Sequence, residues 1–395
     1  MSGRAGPAGA VIAELLTRAV GEMVAGRLEA AGSALRAALA VSSDHPDSLY
    51  LAGVLAGLDG RTALSDALIA RAAADPAIGL FDRLLGRACR EQAGFGRLAG
   101  LYGIDLCLRG ACRPLDNPRV LAGVTLCCID TAYQDLTLVA IKNSLAQCRF
   151  DRVLFLTEDT LHPPGMEVAP VGCPIPGADA YSRFVLKDLP ERLDTPFTLI
   201  SQWDGFLRDA SLWSDEFLQF DYIGARWTCF ADDHLVGNGG FSLRSRRLLE
   251  AGTDPAITQF HPEDFHLGRT YRPYLEQARG IRFADTATAD RFSIEQLANP
   301  DERARPVASF GFHNLFRMYE VVDPRYLDLF LDLLPAGALL SNSMALLAVS
   351  HIRMGEWALA CRIARRMLAR NPHHECREML EQILSRAPRP QDALP

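Results

Sequence analysis

The chain has 395 residues, a formal net charge of −7 and 49% hydrophobic residues. Because single hydrophobic cores rarely grow beyond about 250–300 residues, this length predicts two or three domains. The acidic balance argues against a nucleic-acid partner, since phosphate binding needs an excess of Lys and Arg on one face. The sequence has no apolar run of about 18 residues, so we expect no membrane-spanning helix.

The cysteines and the N-terminus predict a cytoplasmic location. Ten cysteines are present without a Cys-x-x-Cys pair or a zinc-type spacing, and the adjacent Cys127 and Cys128 lie in an apolar run that suits a buried strand. Residues 1–10 lack the charged and apolar regions of a secretory signal peptide. We therefore expect reduced thiols.

Residues 1–115 are rich in Ala, Leu and Arg at helical spacing. A segment that begins at Gly26 recurs loosely at Gly60, and each copy ends in a helix before a proline, Pro46 or Pro76. The interval of 34 residues is the period of tetratricopeptide repeats. Since one helix pair cannot bury its own apolar face, we expect the copies to pack on neighbouring elements. Plain helical hairpins with a chance glycine spacing are the alternative.

Residues 118–322 alternate strand and helix patterns. Apolar strand runs cover Val124–Ile129, Val153–Leu156 and Phe197–Ile200, and a helical pattern covers Leu136–Gln147. Strand, helix and strand at this spacing predict a parallel βαβ unit within an α/β sheet. Ligands of such sheets bind beyond the carboxyl ends of the strands. The polar residues that follow the strands there include Asp130, Thr131, Gln202 and Asp204.

The segment after the third strand, Ser201–Phe206, contains Asp204 beside Gly205. A carboxylate at a strand end can bind Mg²⁺ or Mn²⁺ on a diphosphate, and a glycine lets the backbone turn sharply beside it. A helix-capping role for Asp204 is the alternative.

The segment Gly237–Ser245 has three glycines in four positions, followed by alternating polar and apolar residues. Glycines at this density indicate a backbone that approaches a ligand closely or needs a positive φ. Neither a P-loop nor a Rossmann fingerprint is present. A tight hairpin is the alternative.

Two carboxylates, Glu263 and Asp264, follow a proline and can supply the base that deprotonates an attacking hydroxyl. The alternative is a helix N-terminus that favours acidic residues. Farther along, His313 lies in an aromatic, glycine-containing loop and can bind a metal through a neutral ring nitrogen, although a lone histidine is more often structural. From residue 326 to 395 the Ala/Leu/Arg texture returns, with a third repeat copy that begins at Gly355.

Five segments in this order resemble a largely uncharacterised family of bacterial and fungal glycosyltransferase-like domains that are regarded as GT-A type. They read Q-x-D-G-F, D-Y-I-G-A, G-N-G-G-F-S-L-R-S, P-E-D and F-G-F-H. The resemblance runs from Leu121 to about His313 and implies a GT-A-like mixed, mainly parallel sheet with flanking helices. The all-α, tetratricopeptide-like hairpins at both ends lie outside it.

The resemblance also implies residue roles. Asp204 stands at the last position of the family's D-x-D motif, with Gln202 in place of the first Asp, and is the implied ligand of a divalent cation (Mn²⁺ or Mg²⁺) together with His313. Of the Glu263–Asp264 pair, Asp264 is the preferred base. The residues implied to line the donor and acceptor sites are Asp130, Thr131, Gln202, Asp204, Asn238, Gly239, Gly240 and Arg244.

We therefore expect a glycosyltransferase that moves a sugar from a nucleotide-sugar donor to a hydroxyl of a saccharide or protein acceptor. The main alternative is a catalytically degenerate, glycosyltransferase-like scaffold whose helical repeats recruit a protein partner. A nucleotidyltransferase or metal-dependent hydrolase could use the same strand-end carboxylates, but the sequence lacks a basic nucleotidyl loop near the first strand.

Overall fold

Short turns join the helices of the N-terminal region in the computed structural model, which describes residues 7–388. The helices are α1 (Pro7–Val24), α2 (Leu28–Val41), α3 (Pro46–Leu58), α4 (Thr62–Ala72), α5 (Pro76–Phe81), α6 (Arg87–Gln92) and α7 (Phe95–Leu108). Helix α1 packs on α2, and α3 packs on α4. A π-helical turn, Asp82–Gly86, joins α5 to α6.

The turns at Gly26, Gly60 and Gly355 share one geometry. Their φ angles are 74°, 74° and 75°, in the left-handed region that glycine adopts without a steric penalty. In each turn the residue after the glycine donates its N–H to the carbonyl five residues earlier, at 2.7–2.8 Å. This pattern caps the end of the preceding helix. The loose sequence repeat thus corresponds to hairpins with the same turn, and its tetratricopeptide assignment stays a prediction.

The middle of the chain forms a six-stranded sheet in the order β3-β2-β1-β4-β6-β5. Its strands are β1 (Arg119–Ile129), β2 (Cys148–Leu156), β3 (Glu167–Ala169), β4 (Phe197–Ile200), β5 (Tyr222–Ile223) and β6 (Ser242–Ser245). The strands β3, β2, β1 and β4 pair in parallel, and β6 is antiparallel to β4 and to β5. This confirms the predicted α/β class with a mainly parallel sheet.

Both faces of the sheet are covered, which explains why β1 is a continuous apolar run rather than an alternating one. Leu126 and Cys128 join the large apolar cluster on one face, whereas Cys127 and Ile129 join a second cluster on the other. The helices of this part are α8 (Gln134–Leu145), α9 (Ala178–Lys187), α10 (Arg246–Gly252), α11 (Glu263–Phe265), α12 (Arg272–Arg279) and α13 (Thr286–Phe292).

A second, two-stranded parallel sheet consists of β7 (Ser293–Ile294) and β8 (Gly311–Phe312). It is attached to the chain just after β4, because Leu207 forms an antiparallel bridge with Gly311. The C-terminal region then adds α14 (Leu327–Leu333), α15 (Ala336–Leu339), α16 (Asn342–Arg353), α17 (Trp357–Arg370) and α18 (Arg377–Arg386). None of the helices within residues 7–388 has the length and apolarity that a membrane crossing needs.

The helical regions pack on the sheet region and on each other. Helix α7 contacts α8 and α14, and α14 also contacts α1. One buried apolar cluster includes residues from all three predicted regions, such as Leu16, Leu126 and Met344. The predicted boundaries at 115–118 and 322–326 therefore separate stretches of sequence that share a core.

Candidate functional site

The order of the strands predicts a ligand-binding crevice at the carboxyl ends of β1 and β4. The chain runs from β1 to β2 and β3 on one side, and then returns to β4 on the other side of β1. This reversal is the topological switch point at which open α/β sheets bind ligands. Ser242 of the antiparallel β6 lies opposite Ile200, so the glycine segment before β6 reaches the same edge. Four chain segments that the sequence separates widely meet there.

One of these segments is a tight turn after β4. Gln202 N–H donates to Gly205 O over 2.8 Å, and Gly205 N–H donates to Gln202 O over 3.1 Å. Asp204 lies at the tip of this turn and is half-buried. Burial raises the pKa of Asp204, and the positive charge of His313 partly offsets that rise. Asp204 therefore lies close enough to His313 for the two charges to interact.

His313 lies between two glycines. A Cβ atom on Gly240 would come within 1.9 Å of His313 Nε2, and one on Gly205 within 2.6 Å of its Cδ2. The ring nitrogens contact two acceptors, Gln202 Oε1 at 3.1 Å from Nε2 and Glu295 Oε1 at 3.2 Å from Nδ1. An imidazole satisfies two acceptors only when both nitrogens carry a proton. The geometry thus favours the imidazolium form.

Nearby carboxylates stabilise this charge. Burial opposes protonation, but the hydrogen bond and charge of Glu295, with the charges of Asp204 and Asp264, raise the pKa of His313 to about 9. A histidine that binds a metal must be neutral at the coordinating nitrogen. His313, as hydrogen-bonded here, does not fit its predicted role as a metal ligand. Residues 7–388 contain no group of three or more His, Cys, Asp or Glu residues arranged for a metal.

Glu295 is a member of the site that sequence reasoning missed. It follows β7 directly, just as His313 follows the parallel neighbour β8, so the small sheet places the two side chains together. Asn314 Nδ2 also donates to Glu295 Oε1, over 3.2 Å. Burial opposes the charge of Glu295, but His313, Asn314 and Asn238 lower its pKa. A strand of two residues leaves no periodicity that could have revealed it.

Asp264 is held against the glycine segment. Its Oδ2 accepts from Gly239 N–H over 3.0 Å, and its Oδ1 accepts from Phe265 N–H over 2.8 Å. Burial and the negative charge of Glu263 raise the pKa of Asp264 to about 6. This half-buried carboxyl therefore has a pKa suited to a general base near neutral pH.

Glu263 and Arg244, both predicted site residues, pair with each other beneath the crevice. Arg244 Nη2 lies 2.9 Å from Glu263 Oε1, and the arginine side chain is fully buried. Arg244 Nε also donates to Ser242 Oγ over 3.0 Å. The pair therefore supports the glycine segment from below. The Arg244 side chain has no solvent access, so the expectation that it contacts the sugar donor is wrong. Because Glu263 is paired with Arg244, Asp264 is left as the candidate base.

The remaining predicted residues lie around the same crevice. Asn238 Oδ1 accepts from Gly240 N–H over 3.3 Å, which shapes the glycine segment. Both oxygens of Asp130 are hydrogen-bonded around the turn that precedes α8, because Oδ1 accepts from Ala132 N–H and Oδ2 from Thr137 Oγ1. Contacts of Asp130 and the half-buried Thr131 with a nucleotide stay predictions.

We call five side chains the strand-end cluster: Gln202, Asp204, Asp264, Glu295 and His313. A family model described as "Protein of unknown function (DUF5672)" matches residues 171–313. The matched segment contains the whole strand-end cluster, but it excludes β1, β2 and both helical regions. No curated protein matches the chain. No solved structure matches it either.

Proposed function

We propose that the chain is a nucleotide-sugar glycosyltransferase of GT-A-like fold whose active site is the strand-end cluster. One observation supports this most strongly: the topological switch point holds a carboxyl of raised pKa, Asp264, together with a half-buried imidazolium, His313. Group transfer from a diphosphate needs a base for the nucleophile and positive charge for the leaving group. The cluster supplies both at one edge of the sheet.

The proposed reaction uses these two groups in one step. Asp264 takes the proton of the acceptor hydroxyl while that oxygen forms a bond to the anomeric carbon of the donor sugar. The bond from this carbon to the nucleotide phosphate breaks, and its electrons stay on the phosphate oxygen. The His313 imidazolium stabilises this developing negative charge, and Glu295 holds the ring in place through Nδ1.

The predicted divalent cation enters this mechanism in no step. Asp204 suits a hard cation, because it offers carboxylate oxygens at the edge of the sheet. The two predicted metal ligands together do not fit a cation, since His313 is hydrogen-bonded through both ring nitrogens. That the reaction depends on Mn²⁺ or Mg²⁺ therefore stays a prediction, which titration of the protein with each metal can test.

The scaffold alternative is favoured by one contact. Gln202, in place of an acidic residue, accepts a hydrogen bond from His313 and thereby occupies a ring nitrogen that faces the crevice. In that case the strand-end cluster is structural, and the tetratricopeptide-like hairpins recruit a protein partner. The two proposals differ in whether a nucleotide sugar binds.

Thermal unfolding with a panel of UDP-, GDP- and CMP-sugars, with and without Mn²⁺, tests the proposed function. A ligand at about 100 times its Kd that binds only the folded state stabilises it by roughly 2.7 kcal/mol. We expect one donor to stabilise the wild type and to lose most of that effect in His313→Gln, which removes the positive charge proposed to face the phosphates. Asp204→Asn should lose the effect only where that effect needs Mn²⁺. Asp233→Asn, at an exposed loop position, is the matched control and should keep it. No shift with any donor would support the scaffold.

A further inference from the structure

A cavity of about 660 Å³ opens beside the strand-end cluster, and Glu295 lies in its wall. This volume falls within the range of about 300–1,000 Å³ that is typical of small-molecule sites. The cavity lies between the sheet region and the C-terminal helices. From the sheet region its walls include Trp227, Gln296 and Phe316. From α16 they include Leu346 and Arg353.

Trp227 connects the cavity to the candidate base. The indole is packed so closely on the glycine segment that a Cβ atom on Gly237 would lie 2.2 Å from it. The ring of Phe265, the residue after Asp264, is centred 6.3 Å from the Trp227 ring. Trp227 is half-buried and belongs to the wall of the cavity. An aromatic surface thus lies next to the proposed site of proton transfer.

Helix α16 of the C-terminal region forms the wall of the cavity that faces the sheet region. Leu346 and Arg353 are seven residues apart, which places them on one face of the helix two turns apart. Arg353 Nη1 donates to Ala298 O over 3.2 Å, and this contact fixes α16 against the loop after β7. The cavity therefore has fixed walls from both regions, with aromatic rings, a guanidinium and amide groups in them.

We propose that this cavity is the acceptor site, that its occupant is an oligosaccharide, and that the C-terminal helical region is part of the active site. The inference rests on the proposed function. Aromatic rings such as Trp227 and Phe316 suit the apolar faces of sugar rings, whereas Gln296 and Arg353 suit their hydroxyls. The volume leaves room for more than one sugar ring. A hydroxyl bound beside Glu295 would lie at the mouth of the strand-end cluster.

The test compares two reactions of the full-length protein, donor hydrolysis by water and transfer to a panel of p-nitrophenyl mono- and disaccharides. Leu346→Trp fills the cavity from a residue remote from the reacting atoms. We expect it to lower the ratio of transfer to hydrolysis about tenfold or more, mainly through the KM of the glycoside. Leu384→Trp, at a half-buried position of α18 outside the cavity, is the matched control and should keep the ratio.

Arg353→Ala serves as a second variant if Leu346→Trp fails to fold, and we expect the same fall in the ratio. An unchanged ratio in the folded variant would overturn the acceptor site and leave the proposed function intact. So would donor hydrolysis by the wild type with transfer only to a protein and to none of the glycosides. Absence of both donor hydrolysis and transfer in the wild type would instead overturn the proposed function, and the acceptor site with it.

Discussion

Asp264 and His313 carry opposite charges at neutral pH, although burial opposes the charge on each of them. Burial raises the pKa of Asp264 to about 6, which leaves the carboxyl ionised at pH 7 but readily protonated. The surrounding carboxylates raise the pKa of His313 to about 9 and keep the ring protonated. A base and a cation with pKa values on either side of 7 are suited to catalysis at that pH.

The pH profile of transfer should reflect Asp264. Because the base acts only when ionised, we expect the rate to rise as the pH increases through about 6. Asp264→Asn should remove this limb and lower the rate by about 10²–10⁴-fold, the usual contribution of a general base. Asp233→Asn should keep both rate and profile. A profile that is flat from pH 5 to 7 in the wild type would exclude Asp264 as the base.

His313 should make folding stability depend on pH. Its pKa is about 9 in the folded protein and ordinarily 6.5, so protonation is favoured by folding. The stabilisation is fully present below about pH 6.5 and is lost as the pH rises through about 9. The groups that face the ring are Gln202, Asp204, Asp264 and Glu295.

Chemical denaturation of His313→Gln at two pH values measures this dependence. The variant should lose more free energy of unfolding, relative to wild type, at pH 6 than at pH 9.5. His373→Gln, at an exposed position, should behave as wild type at both. An equal loss for His313→Gln at pH 6 and pH 9.5 would show that folding does not raise the pKa of His313.

At the scale of elements, two glycine segments leave space for the histidine ring. Gly240→Ala would place a Cβ atom 1.9 Å from His313 Nε2, so the ring or the backbone must move. We expect this variant to lower donor binding and the unfolding temperature. Gly100→Ala is the control, because it lies within α7 with no atom inside 4 Å of the new Cβ. It should be neutral or stabilise by about 0.5–1 kcal/mol. Equal behaviour of the two variants would contradict the packing of His313 described above.

The long strands and helices were predictable from periodicity. The runs Val124–Ile129 and Phe197–Ile200 lie in β1 and β4, and Leu136–Gln147 largely coincides with α8. Continuous apolar runs identify strands that are buried on both faces. In contrast, β7 and β8 have two residues each and depend on pairing with each other, so no local pattern indicates them. Glu295 was missed for this reason.

Burial also decided between neighbouring site candidates. Glu263 and Asp264 are adjacent, and sequence alone favoured the second only weakly. The structure separates them, because Glu263 binds the buried Arg244 whereas Asp264 accepts from the backbone of the glycine segment. Which of two adjacent side chains faces a crevice depends on tertiary packing, and motif spacing carries little information about it.

At the scale of the whole molecule, a buried ion pair connects the N-terminal helices to the sheet region. Lys142 Nζ lies 2.7 Å from Asp105 Oδ1, and neither side chain has solvent access. Removal of Asp105 leaves the buried Lys142 uncompensated and takes from Arg109 one of its two carboxylates, so Asp105→Leu should destabilise the chain by about 3–5 kcal/mol. The double variant Asp105→Leu, Lys142→Met should be less destabilised than this single variant.

Denaturant unfolding measures both variants. Glu250→Leu, which breaks the exposed pair with Arg246, is the control and should cost less than about 1 kcal/mol. A loss below 1 kcal/mol for Asp105→Leu would mean that the N-terminal helices and the sheet region are not coupled through this pair.

Release of nucleotide from the sugar nucleotides of the panel shows whether the strand-end cluster transfers sugars. We predict that the wild type releases nucleotide from at least one donor and that Asp264→Asn lowers this release about 10²-fold or more, whereas Asp233→Asn does not change it. No release from any donor, or equal release by wild type and Asp264→Asn, would contradict the assignment of the cluster as a glycosyltransferase active site.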